Sequence, residues 1–242
     1  MAKKEKHCDR NDPADDRCGD CWDYVGLDAE HRLVVSALVG KHSAEHVDLL
    51  VEDFRRRTEG RLMNLMTSDE NPAYEQAILD SYGEEYQPRR KGKRGRRPAL
   101  RKRPPKGLTY ATVHKTRENN RVVAVDQRVI FGTAAAVVAA LALSSVSTAV
   151  NTVFVERHNG TDRNRNARKV RKTYCFSKDW EVHEAVSYFT LYTYNFCWPV
   201  RTLRQGSRRK GYRQRTPAMA AGLADHIWTL EEWLSRPAVQ RE

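Results

Sequence analysis

The chain has 242 residues, a net charge of +12 and a pI near 9.6. An apolar share of 40% with 9% aromatics excludes wholesale disorder, and the length allows one large domain or a domain with appendages. The charge favours a polyanionic partner, nucleic acid first and an anionic membrane second. Five irregularly spaced cysteines behind a charged start (MAKKEKHCDR) do not make a secreted disulfide scaffold, so a reducing, cytoplasmic setting is expected.

Residues 1–19 are polar, acid-rich and loop-like. Cys18-x-x-Cys21, with His7 and Cys8 nearby, has zinc-ligand spacing, but no second spaced pair accompanies it. CWDYVGLD (21–28) and HRLVVSALVG (31–40) are apolar runs that predict an antiparallel hairpin of core strands. Ser43 is an N-cap candidate for a helix over 44–58 with Val47, Leu50, Val51 and Phe54 on one face and Gly60 ending it. Leu62 to Thr67 reads as a short buried strand, 68–72 (SDENP) as a turn, and Ala73 to Tyr82 as a helix ending at Gly83. Strand, acid, helix in that order sets Asp69 at a strand's carboxyl end, where α/β sheets build their sites.

Gln87 to Lys106 holds eleven Lys or Arg and four Pro, so a solvated, mobile loop that contacts a polyanion is expected. LTYATVHKTRE and RVVAVDQRVIFG then alternate around Asn119-Asn120, the pattern of a two-stranded hairpin. No charge occurs from Val129 to Val155, long enough to cross about 30 Å of bilayer. Its Ala, Val, Ser and Thr content, with Gly132 and Asn151, makes insertion marginal. An Ala-rich helix over 133–143 and a connection over 144–152 are expected instead, with no membrane span.

Asn151 to Lys178 carries an acid at its head, Glu156, ahead of Arg or Lys at 157, 163, 165, 168, 169, 171, 172 and 178. Without Pro, most of this stretch is expected to be helical, with Glu156, Asn159 and Arg163 on one face and Arg157 and Arg168 flanking it. A solvated basic helix with an incidental Glu is the bland alternative. Next comes a helix with an apolar stripe of Val182, Ala185, Val186, Phe189, Tyr192 and Phe196, expected to be core packing. Residues 201–215 read as a basic linker, followed by a short helix with Pro217 at N1 and another capped by Thr229 with Glu232 at N3.

TSDENPAYE (67–75), VERHNGTDRNRNARKVRKTYCFSKDWEVHEA (155–185) and YTYNFCWPVRTLR (192–204) closely resemble DDE transposases of bacterial insertion sequences, from about residue 3 to about residue 235. The block around Glu156 is the most specific part. The resemblance implies an α/β, ribonuclease-H-like fold: a five-stranded mixed sheet flanked by helices, spanning 1–200. The basic loop 87–106 and hairpin 107–132 are then insertions, and 201–242 is a basic linker with short helices. It also implies two Mg²⁺ (or Mn²⁺) ions held by Asp, Asp and Glu, DNA ends and target DNA as partners, and a homo-oligomer. Hard oxygen ligands suit Mg²⁺, and two such ions about 4 Å apart serve an in-line displacement at phosphorus. By this match Asp69 is the second carboxylate and Glu156 the third.

From charge and position, Arg157, Arg163, Arg165, Lys169, Arg171 and Lys172 are expected to contact DNA phosphates. The family's first carboxylate lies in a strand that would precede Met1, so a catalytic domain truncated at its amino end, with impaired activity, is expected. Asp20 and Asp28 are substitutes to consider, and Asp20 or Asp23 requires a different register. The rival readings are a non-catalytic DNA-binding fragment acting as an inhibitor, a basic membrane-associated protein, and a nuclease on the same fold.

Overall fold

The computed structural model describes residues 4–9, 11–89, 97–119, 121–170 and 173–236. Its strands and helices are β1 Trp22–Asp28, β2 Leu33–Gly40, α1 Ala44–Arg57, β3 Met66–Asp69, α2 Ala73–Tyr82, β4 Glu84–Tyr86, β5 Arg101–Arg103, β6 Tyr110–Glu118, β7 Arg121–Phe131, α3 Ala134–Leu143, α4 Val153–Arg165, α5 Trp180–Cys197, β8 Gln205–Ser207, β9 Gly211–Arg213, α6 Pro217–Ala220 and α7 Leu230–Ser235. The chain is mixed α/β and divides into two compact units, 43–153 and 1–42 with 154–242.

The unit of residues 43–153 holds a three-stranded mixed sheet in the order β3-β6-β7. β3 runs parallel to β6, with Asp69 opposite Val113, and β7 returns antiparallel to β6 after a turn in which Asn119 has φ +48°. The sheet is flanked by helices. α3 lays Val137 and, less deeply, Leu141 against Ala111, Val113 and Val150. α1, capped by Ser43, buries Val47, Leu50 and Val51, and α2 packs beside it with Ala77, Ile78 and Tyr82 inward. Each fully buried aliphatic side chain of this kind stabilises the fold by about 1.5–3 kcal/mol.

Two expectations shift here. The strand before Asp69 starts at Met66 rather than Leu62, because residues 62–65 precede the point where Met66 N–H meets the Thr109 carbonyl. The flanks of the basic loop are also more ordered than a solvated coil, since β4 and β5 pair antiparallel and Lys102 Nζ reaches both Asp80 Oδ1 and the Asp80 carbonyl. Residues 90–96 of that loop lie outside the described residues. The uncharged segment 129–155 divides between the end of β7, α3, a connection and the start of α4. Among the described residues no helix is long and apolar enough to cross a membrane.

The other unit is organised by the β1–β2 hairpin and α5. Val34 and Ala37 of β2 pack against Leu191 and Tyr194, with Tyr188 and Val200 at the margin. Asn195 reaches across to the β2 backbone. Its Oδ1 accepts from Val34 N at 2.9 Å, and its Nδ2 donates to the Val34 carbonyl at 2.8 Å, so one side chain satisfies both polar groups of a buried strand residue. α5 is therefore present but turned from the expected stripe. Val182 and Phe189 are exposed, and the buried face is His183, Ser187, Thr190, Leu191, Tyr194 and Asn195. Apolar recurrence alone points to that stripe, whereas His183, Thr190 and Asn195, which have hydrogen-bond partners inside the fold, take the inner face.

The segment 201–215 is an ordered β8–β9 hairpin rather than a linker. Gly206 has φ +112°, and a Cβ there would sit 2.3 Å from the Gly211 carbonyl oxygen, so the hairpin requires glycine at this position. The two C-terminal helices form as expected, α6 behind Pro217 and α7 with Thr229 accepting from Glu232 N–H. They dock on α5, where Phe189 meets Trp233 edge-on and Phe196 meets Trp228.

Candidate functional site

Asp69 is the last residue of β3 and is exposed. The strand end is held by a short hydrogen-bond chain in which the Tyr110 hydroxyl meets Ser68 Oγ at 2.7 Å and Ser68 Oγ donates to the Asp69 carbonyl at 2.6 Å. Burial pushes the Tyr110 hydroxyl up to about 12, opposed by its Ser68 hydrogen bond and reinforced by Asp69 and Glu75, so it stays a neutral donor at physiological pH. Beyond the strand, Glu70 pairs with His114, and Asn71 Oδ1 accepts from Ala73 N to start α2. Local turn chemistry thus fixes the direction in which the Asp69 backbone leaves the sheet.

Glu156 lies in the first turn of α4, in the other compact unit, and is exposed. On a helix, Glu156 and Arg163 fall within about 20° of each other, with Arg157 on the flank, and all three are exposed. An acid in the first turn is favoured by the helix dipole. Gly160 meets nothing within 4 Å, so the interior glycine opens no contact that α4 depends on. The helix stops at Arg165, earlier than expected. Asn166 leaves helical geometry at φ −119° and ψ 99°, and its side chain accepts from Arg168 N, which starts a single 3-10 turn over Ala167–Lys169.

The opposite face of α4 is buried and carries chemistry that the sequence pattern did not signal. Asp162 Oδ2 takes Lys169 Nζ at 2.7 Å, and Asp162 Oδ1 accepts from Thr190 Oγ1 at 3.1 Å. The same Lys169 Nζ lies 3.1 Å from Asp23 Oδ2 of β1, and His183 Nε2 stands 3.9 Å from Asp23 Oδ1. His183 also meets Ser177 Oγ at 2.9 Å through Nδ1, and burial lowers its pKa against the opposing pull of Asp23. One α4 turn earlier, His158 sits edge-on to Tyr194 with both ring nitrogens buried and without a hydrogen-bond partner, and burial pushes its pKa down to about 4. The spacing Asp162 to Lys169 across a broken helix gives no periodic signal, and Asp23 is remote in sequence.

The six cations expected at phosphates therefore separate. Arg157 and Arg163 are on the exposed face. Arg165 is turned inward, donating to the Thr190 carbonyl at 3.0 Å and lying 4.8 Å from the Trp198 ring centre. Lys169 is closed in by its two carboxylates, with 6% of its side chain exposed. Both are committed to packing and ion pairing within the fold. Arg171 and Lys172 lie outside the described residues.

The alternative acids have structural partners. Asp28 accepts from Glu30 N and pairs with His31, closing the β1–β2 turn, while Asp23 belongs to the Lys169 cluster. Asp20 is exposed, and its N–H donates to Glu5 Oε2. Burial pushes the Cys21 thiol up to about 12, with Asp23 adding and Lys169 opposing, so it is a neutral thiol at physiological pH. Cys8 and Cys18 direct their thiols at the Lys4 and Ala14 carbonyls. Among the described residues no three His, Cys, Asp or Glu side chains are gathered as a metal-holding group.

No family model matches the chain, and searches of curated proteins and of solved structures give no significant match.

Proposed function

We propose that this chain is a DNA transposase of the DDE type, with a ribonuclease-H-like catalytic domain that cleaves and joins DNA strands using Asp69 and Glu156. The observation that carries the reading is Asp69, exposed at the carboxyl end of a parallel strand in a mixed sheet, directly before a helix. The TSDENPAYE and Glu156 blocks that carry the resemblance add the second acid, exposed beside Arg157 and Arg163. The two carboxylates are hard oxygen donors of the type Mg²⁺ or Mn²⁺ accepts while keeping several waters, so they fit the implied metal by donor chemistry. When bound, the metal ions would supply Lewis acidity at the attacking and leaving oxygens. The protein's own contribution is to present the acids from rigid element ends and to hold phosphates with Arg157 and Arg163.

Nicking of a supercoiled plasmid in Mg²⁺ or Mn²⁺, with EDTA as control, tests the reading. Asp69→Asn and Glu156→Gln should each abolish metal-dependent nicking while leaving plasmid affinity and its salt dependence unchanged. Nicking that survives both substitutions refutes the proposal. Binding without nicking by the unaltered chain selects the rival reading, a DNA-binding protein that does not cut.

A further inference from the structure

β7 is eleven residues long and forms one edge of its sheet, with β6 as its strand partner among the described residues. Every residue from Arg121 to Val129 is exposed, on both faces of the strand. Val123 and Val125 are each 53% exposed and Val129 37%. A long apolar edge strand presents unpaired backbone N–H and C=O groups, and between the register shifts at Val123 and Ile130 the run from Ala124 to Val129 keeps a regular alternation. We infer that β7 is the self-association surface of this protein, pairing antiparallel with β7 of a second copy across a two-fold axis to make a continuous six-stranded sheet.

The residues of β7 select this occupant. A two-fold axis perpendicular to a sheet requires opposed residues to share a face, so the axis must pass through a residue rather than between two. With the axis at Gln127, Asp126 of one copy faces Arg128 of the other, twice by symmetry. Val125 then faces Val129, twice by symmetry, inside the regular run from Ala124 to Val129. Shifting the axis to Asp126 or to Arg128 sets like charges against each other. At Val125, Asp126 would lie opposite Ala124 and Gln127 opposite Val123. At Val129, Arg128 would lie opposite Ile130. One register alone matches charge to opposite charge and apolar to apolar along the overlap, which is the cross-strand pairing that stabilises antiparallel ladders. Within the chain, Asp126 and Arg128 lie opposite His114 and Thr112 of β6, and His114 pairs with Glu70.

This surface lies wholly in the unit of residues 43–153 and stands whether or not the chain cuts DNA. Sedimentation equilibrium of the full, nuclease-treated chain at moderate ionic strength tests it, because exposed charge pairs are screened by high salt. The unaltered chain should be a concentration-dependent dimer. Asp126→Arg alone and Arg128→Asp alone should each weaken the dimer by about 10- to 100-fold, since two attractive pairs become two repulsive ones. An equimolar mixture of these two variants should dimerise again, because the introduced arginine of one chain then faces the introduced aspartate of the other. The double exchange in one chain should also restore self-association. A misfolded variant would not be rescued by mixing. A monomeric unaltered chain, single variants that dimerise undiminished, or a mixture that stays monomeric overturns the inference. Loss of plasmid affinity in the single variants with unchanged mass would instead mark the hairpin as a nucleic-acid surface and would also overturn it.

Discussion

Replacing Lys169 by Met removes the ammonium group and keeps the aliphatic stem. In the folded chain Lys169 Nζ is 2.7 Å from Asp162 and 3.1 Å from Asp23, and the side chains of Lys169 and Asp162 are 6% and 8% exposed. Among the described residues, Asp162 keeps one hydrogen bond from Thr190, and Asp23 keeps only His183 at 3.9 Å. Two negative charges would then share a nearly water-free space with no cation between them. Breaking a buried pair from one side costs about 3–5 kcal/mol, a large share of the 5–15 kcal/mol that holds a typical domain folded. Urea denaturation followed by far-UV circular dichroism measures it, and the loss should appear as a lower midpoint with an unchanged slope. Adding Asp162→Asn should recover part of it, because the neutral amide no longer needs a counter-charge. A Lys169→Met chain within about 1 kcal/mol of the unaltered one would show that the cluster is not an ion-paired core, and Lys169 would return to the set of DNA-facing cations.

Three other outcomes are expected. His158 titrates near 4 when folded and at its ordinary 6.5 when unfolded, so between those values the unfolded chain binds the extra proton. Stability is full above pH 6.5, erodes as pH falls, and has lost about 3 kcal/mol by pH 4. Comparing urea midpoints at pH 7 and pH 5 with those of His158→Leu isolates this share, and equal pH dependence of the two chains would contradict it. Asn195→Ala strands both polar groups of Val34 in a buried place and should cost about 2–6 kcal/mol, read by the same denaturation, with Asn195→Leu no better because it restores neither hydrogen bond. Arg157→Gln and Arg163→Gln should each weaken plasmid binding and reduce the slope of log K against log salt by about 0.9. Arg165→Gln should leave that slope unchanged and lower stability instead.

The parts of this molecule legible from sequence are those whose signals are local. The caps Ser43 and Thr229 each accept from an N–H three residues on, and the helices behind them start where the sequence says they should. Asp69 was readable as a strand end because Asn71 and Pro72 force the chain to turn there. What local signals cannot carry is which face of an element meets a partner far along the chain. Asn195 and Val34 are 161 positions apart, and their pairing turns α5 so that Ser187, Thr190 and Asn195 go inward while Val182 and Phe189 face out. The same cause moved Arg165 and Lys169 from expected phosphate contacts into the fold. A basic run looks uniform in sequence, and the difference between an interior and an exterior cation is set by Asp23, Asp162 and Trp198, none of which the run predicts.

β7 shows the same limit at a strand edge. Its alternation predicts a strand of a two-stranded hairpin, and that hairpin forms, yet Val123, Val125 and Val129 remain in water. An apolar pattern that its own chain does not cover is either wasted or written for another surface. Solubility offers no reason to keep four valines on an exposed edge, since Thr would form the strand nearly as well and a Lys among them would resist unwanted pairing. The charges on that edge are not scattered at random either: Asp126 and Arg128 stand symmetrically about Gln127, the arrangement that opposes unlike charges only when the strand meets a copy of itself in reverse. A heterologous partner would need no such symmetry. The edge is thus better explained as a self-complementary surface than as a by-product of folding, and rescue on mixing Asp126→Arg with Arg128→Asp is the outcome that only this symmetry predicts.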